Sequence, residues 1–126
     1  MSKTTIRAFI VASSLFAAAF LTPSKSHAAY TTFMCPSLSI VQLSVSSPTA
    51  QPRIAALCSS TNAGIQWFAF RTSTSADSAK MLLSTLTAAK AAGRPVLFGY
   101  ESTDTAGASW GCDAATCRTI MKIEVN

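Results

Sequence analysis

Ser73–Glu101 reads STSADSAKMLLSTLTAAKAAGRPVLFGYE, and its two halves follow different periods. In the first half Ala79, Leu82, Leu83, Leu86 and the stem of Lys90 recur at three-and-four spacing, which predicts a helix over 76–92 with one apolar stripe. Ser73 or Ser75 can accept from its first amides, and Asp77 sets a negative charge against the positive end of the dipole. Gly93 supplies a left-handed stop and Pro95 prevents continuation. From Pro95 to Glu101 the period is two: Val96, Phe98 and Tyr100 share one face, and Leu97, Gly99 and Glu101 the other.

Upstream of the helix the chain is β-rich. Over Ser37–Ser46, Leu38 and Ile40 lie on one phase and Val41, Leu43 and Val45 on the other. A β-bulge produces such a switch, and so would a strand buried on both faces. Ser47–Pro52 is a turn with two prolines; Arg53–Ser59 is a short apolar strand. Thr61–Gly64 is a second turn, and Ile65–Thr72 a third strand carrying Trp67, Phe68 and Phe70. Downstream of the helix, the strand at Pro95–Glu101 leads to a polar loop, Ser102–Ser109, then Trp110. The last strand, Arg118–Asn126, places Met121, Ile123 and Val125 inside and Lys122 and Glu124 outside. The order βββαββ predicts a mainly β domain with one helix, folded as a small five-stranded OB-like barrel. A ferredoxin-like unit needs a second helix and a sandwich more strands.

The amino terminus reads as an export signal rather than structure. Lys3 and Arg7 precede an uncharged apolar run from Ala8 to Leu21, followed by Pro23 and the small-residue site ending at Ala28. That run is about fourteen residues against the roughly twenty that a bilayer requires, so no membrane span is expected. Residues 1–28 are assigned to the signal and 29–126 to one domain, secreted or periplasmic. Processing removes three of the ten basic residues and none of the five acids, so the net charge falls from +5 to +2. A polyanion partner, nucleic acid included, loses its compositional support. The only histidine, His27, leaves as well, and with it any Ser-His-Asp, Cys-His or His-ligated zinc site.

Four cysteines remain: Cys35, Cys58, Cys112 and Cys117. In an exported chain an even set reads as disulfides, with three connectivities open. Cys112 and Cys117 are close enough to clip a local loop, leaving Cys35 and Cys58 to pair across a longer one. A four-thiolate metal site is the competing reading. It lacks paired C-x-x-C knuckles, so neither metal nor cofactor is expected.

The stretch Ala91–Glu101, AAGRPVLFGYE, resembles the helix end and following strand of the B subunits of subtilase cytotoxin and of typhoid and pertussis-like toxins. Cys112–Cys117 stands where those chains carry a late, short disulfide loop, and Pro52–Cys58 resembles their second strand. The likeness covers most of the chain after residue 28 in element order, at low identity. There are departures. The relatives pair their early cysteine within the region matching Trp67–Arg71, where this chain has none and offers Cys35 instead. The tryptophan that opens their helix is replaced by Ser73-Thr74-Ser75. The resemblance implies a non-catalytic, lectin-like module that forms a homopentamer, binds a cell-surface glycan or glycoprotein, and accompanies a separate catalytic A subunit. It also implies sugar contacts at Tyr100 and, within a residue or two, at Ser37.

Each candidate has a plainer role. Tyr100 can present its ring to a sugar or cap the barrel with its hydroxyl bonded inward. Trp110, in a loop of small residues, can serve as a stacking platform or fold back over the neighbouring disulfide as a plug. Glu101 and Asp104 are near enough to suggest a glycosidase pair, yet both fall at one strand end and read as solvated charges. The helix face opposite the leucines (Met81, Ser84, Thr85, Ala88, Ala91, Ala92) carries no charge, which suits close approach of another surface. An exported domain that binds a protein partner as a monomer is the alternative.

Overall fold

A computed structural model describes residues 30–44 and 51–126. The expected signal at 1–28 and most of the two-proline turn lie outside the described residues. Seven strands and one α-helix follow in the order β1 (Tyr30–Cys35), β2 (Leu38–Ser44), β3 (Arg53–Asn62), β4 (Ile65–Arg71), α1 (Ala76–Ala91), β5 (Val96–Glu101), β6 (Cys117–Thr119) and β7 (Lys122–Val125). A short 3-10 helix, Ala106–Trp110, interrupts the loop after β5. The fold is mainly β with one helix among the described residues. The strands form two open sheets, ordered β1-β5-β7 and β2-β3-β4-β6, rather than one closed cylinder.

Seven strands replace the expected five for two reasons. First, Tyr30–Cys35 pairs antiparallel with β5 along its whole length, adding a strand upstream of Pro36. Second, the last strand divides where it changes sheets. The Ile120 amide donates to the Ala69 carbonyl in one sheet and the next amide, Met121, to Gly99 in the other. A straight strand cannot serve both, so the chain turns. Met121, expected inside, is thrown out and stands 60% exposed, while Ile120 is buried.

The phase switch near Leu38 is a bulge. Leu38 pairs with Cys58 and Ile40 with Leu57, so Ser39 is the extra residue. Leu38 and Val41 thereby both reach the core, while Ile40 and Leu43 stay exposed, which rules out a strand buried on both faces.

Helix α1 begins where expected: Ser75 Oγ accepts from the Ser78 amide at 3.2 Å. It ends at Gly93, whose φ of +63° is the left-handed turn that carbon-bearing side chains avoid. Its buried stripe is Ala79, Leu82, Leu86 and Ala89. Lys90 is exposed rather than packed by its stem, because Ala89 already closes the last turn against the sheet.

The core lies between the two sheets and beneath α1. Val96, Phe98 and Tyr100 point into it, as the alternation of β5 requires. Phe68 stacks on Phe98 with ring centroids 4.2 Å apart and meets the edge of Tyr100 at 5.3 Å. Disulfide Cys35–Cys58 joins β1 of one sheet to β3 of the other, and Cys112–Cys117 closes the short loop. Both pairings are the expected ones, and they exclude the four-thiolate site.

Candidate functional site

Tyr100 is 2% exposed, and its hydroxyl accepts from Asn62 Nδ2 at 2.9 Å. Trp110 is 6% exposed and lies on Ala55 and Ala69 beside the Cys112–Cys117 bridge. The plainer roles therefore describe both residues: an inward tyrosine and a plug over the disulfide. Neither ring is presented to solvent in this structure. Ser37 does reach the surface, where its hydroxyl donates to Ser59 Oγ at 2.9 Å. Tyr100 and Ser37 do not share a pocket with Trp110. Asp104 Oδ1 caps its own loop by accepting from the Ala106 amide, the work of a turn carboxylate.

Trp110 has another consequence. The outer face of the four-stranded sheet carries three registered rows: Ile40, Leu57, Trp67 and Cys117; Gln42, Ala55, Ala69 and Thr119; Ser44, Arg53 and Arg71. The two alanines stop at Cβ, so the middle row is a depression between larger neighbours. Trp110 covers part of it. What remains is a cleft of about 310 Å³ lined by Gln42, Arg53, Trp67, Gly111, Asp113 and Thr116 over an alanine floor. Its volume falls at the small end of the range for small-molecule sites.

The rim is rigid. Thr116 carbonyl accepts from the Gln66 and Trp67 amides at 2.9 and 3.0 Å, fastening the disulfide loop to β4. Arg118 holds the loop from behind, donating from Nε to Ser102 carbonyl and from Nη1 to Ala114 and Cys117 carbonyls. Arg53 Nη1 donates to Trp110 carbonyl at 3.3 Å, and its guanidinium lies against Gly111. A Cβ on Gly111 would collide with that Nη1, and its φ of +101° already excludes most side chains. Asp113 Oδ1 accepts from the Ala115 and Thr116 amides at 2.7 and 3.2 Å, and Oδ2 takes no part in that turn. One cation, one carboxylate, one amide and one indole thus converge on a small, fixed hollow.

Reading the sequence alone misses this constellation. Trp67 reads as one aromatic of a core strand, and Arg53 as an ordinary surface arginine. The available signal was the pair Ala55 and Ala69 among larger outward residues, visible only once β3 and β4 are set in register. On the opposite sheet, Tyr30 is half exposed and leans across Gly99 toward Lys122. The Glu124 carboxylate, ion-paired with Lys122, holds that ammonium above the ordinary lysine value, chiefly through their hydrogen bond. No known protein family matches the chain, and no curated protein or solved structure is significantly similar to it.

Proposed function

We propose that this chain is an exported, non-catalytic binding module that recognises cell-surface glycans, similar in role to a toxin B subunit. The observation that carries the reading is the cleft on the four-stranded sheet. Lectin sites are shallow and pair an aromatic wall with hydrogen-bonding side chains held in place before the ligand arrives. Trp67 provides the wall, and Gln42, Arg53, Asp113 and Thr116 provide the polar groups. The OB-like reading draws support from two places where the chain passes directly between sheets, at Cys35–Leu38 and at Thr119–Lys122. Two disulfides agree with an oxidising compartment. Among the described residues, no helix is long and apolar enough to cross a membrane.

The homopentamer, and a catalytic subunit carried by it, rest on the toxin likeness and on one further feature. Met81, Ser84, Ala88, Ala91 and Ala92 are all exposed on α1, and Ser84 spends its hydroxyl on its own helix at Lys80 carbonyl. That uncharged face permits close contact with neighbours, and several weak sites on one ring would bind together far more tightly than one alone. The monomeric alternative has its own support. A groove beside α1, lined by Phe70, Leu82, Ile120 and Ile123, is flanked by the exposed Met81 and Met121. Flexible methionines suit an adaptable protein contact.

A glycan array probed with the wild-type chain and with Trp67→Ala tests the main reading. Binding by the first and its loss in the second is expected, and a blank array for the wild type removes the proposal.

A further inference from the structure

We infer that the cleft takes a neutral saccharide and rejects carboxylate-bearing sialosides. The inference rests on the glycan reading of the same cleft and is decided by its charges. A sialic acid brings a carboxylate. Arg53 would attract it, but Asp113 shares the hollow and opposes it. Asp113 Oδ1 accepts from two amides of the disulfide loop, which directs the carboxylate at the rim. Arg53 does not reach out alone to meet an acid beyond the rim, for its guanidinium is laid on Gly111 and bonded to Trp110 carbonyl. A second carboxylate beside the one at the rim meets like-charge repulsion, and that is how sites discriminate against charged competitors.

A neutral sugar meets no such opposition. Its hydroxyls donate as readily as they accept. The Asp113 Oδ2, outside the loop's own hydrogen bonds, is an acceptor for a sugar O–H, and Gln42 offers both an acceptor and donors. The C–H face of a pyranose is apolar and flat enough to lie on the Trp67 indole, which β4 holds half-buried between Leu57 and Cys117 in register. Ala55 and Ala69 leave the depth for a ring edge.

The test uses the exported, disulfide-bonded chain and a set of methyl glycosides at millimolar concentration: gluco, galacto, manno and fuco, with the methyl glycoside of sialic acid as the charged member. Binding is read from the indole N–H signals of Trp67 and Trp110 in two-dimensional NMR. At least one neutral glycoside should shift the Trp67 signal in a saturable way, with the sialoside at least tenfold weaker. In Asp113→Asn, which retains an acceptor for the loop amides, the neutral ligand should weaken about 10- to 100-fold, as loss of a hydrogen bond to a charged group predicts. The gap to the sialoside should narrow, and thermal unfolding should be unchanged. Trp67→Ala should abolish binding and Trp67→Phe restore part of it. Preference for the sialoside with a Trp67 shift overturns this inference and leaves the glycan reading in place. If no saccharide perturbs Trp67, both fall.

Discussion

Gly111 joins backbone strain and side-chain packing at one position. Its φ lies in the left-handed region, and the space where a Cβ would stand is filled by the Arg53 guanidinium. Gly111→Ala should destabilise the chain by about 1–3 kcal/mol, the usual cost of forcing such a conformation, and should also push Arg53 out of the cleft. Denaturant midpoints and glycoside titration should therefore both move. Tyr100→Phe makes the contrasting case. Removing the hydroxyl takes away the Asn62 bond and should cost about 1 kcal/mol, with saccharide affinity unaltered. A drop in affinity at unchanged stability would return Tyr100 to the role that the toxin likeness gave it. Among the residues singled out from the sequence, Tyr100 and Trp110 are buried and Ser37 reaches the surface. Trp110 reads equally well as a platform or a plug until the sheet beneath it proves to have two alanines to cover.

Helix α1 was legible almost to the residue, because its stripe, its capping serine and its glycine stop are all local signals. Ser75→Ala should lower stability by about 1 kcal/mol through loss of the Ser78 contact, measured by urea unfolding. Leu86 is fully buried, and Leu86→Ala should cost about 2–5 kcal/mol. Strands were legible by phase and less so by extent. The alternation of β5 and the bulge after Leu38 are both properties of one strand read by itself. The break between β6 and β7 is different. Ile120 to Val125 alternates well enough for a single strand, and only competition between Ala69 and Gly99 carbonyls for successive amides divides it. The upstream strand β1 was missed since Pro36 ends its pattern close to the expected processing site, leaving too short a run to read.

The two disulfides act at different levels of the whole molecule. Cys35–Cys58 ties one sheet to the other across a sequence separation of 23. Replacing both cysteines by serine should cost about 3 kcal/mol on the chain-entropy estimate and loosen the packing of Phe68 on Phe98, seen in near-ultraviolet circular dichroism. Cys112–Cys117, with a separation of 5, closes a smaller loop, and its removal should cost less, about 2 kcal/mol. Its main effect should fall on binding, because that loop supplies Asp113 and Thr116 to the cleft. Sedimentation velocity separates the assembly readings: a ring requires a species near five chain masses, and a lone accessory domain a single one.

From the amino acids in order came the mainly β class with one helix, the helix and its ends, the inward face of β5 and the pairing of the four cysteines. Each depends on neighbours a few residues apart or on simple composition. Sheet membership, strand number and the location of the cleft belong to tertiary structure. Gln42, Arg53, Trp67 and Asp113 are scattered along the chain and share one hollow only because β2, β3 and β4 pair in a particular register and a disulfide loop is fastened over them. Long-range hydrogen bonding, and the covering of small residues by a large one, leave no periodic trace in a sequence.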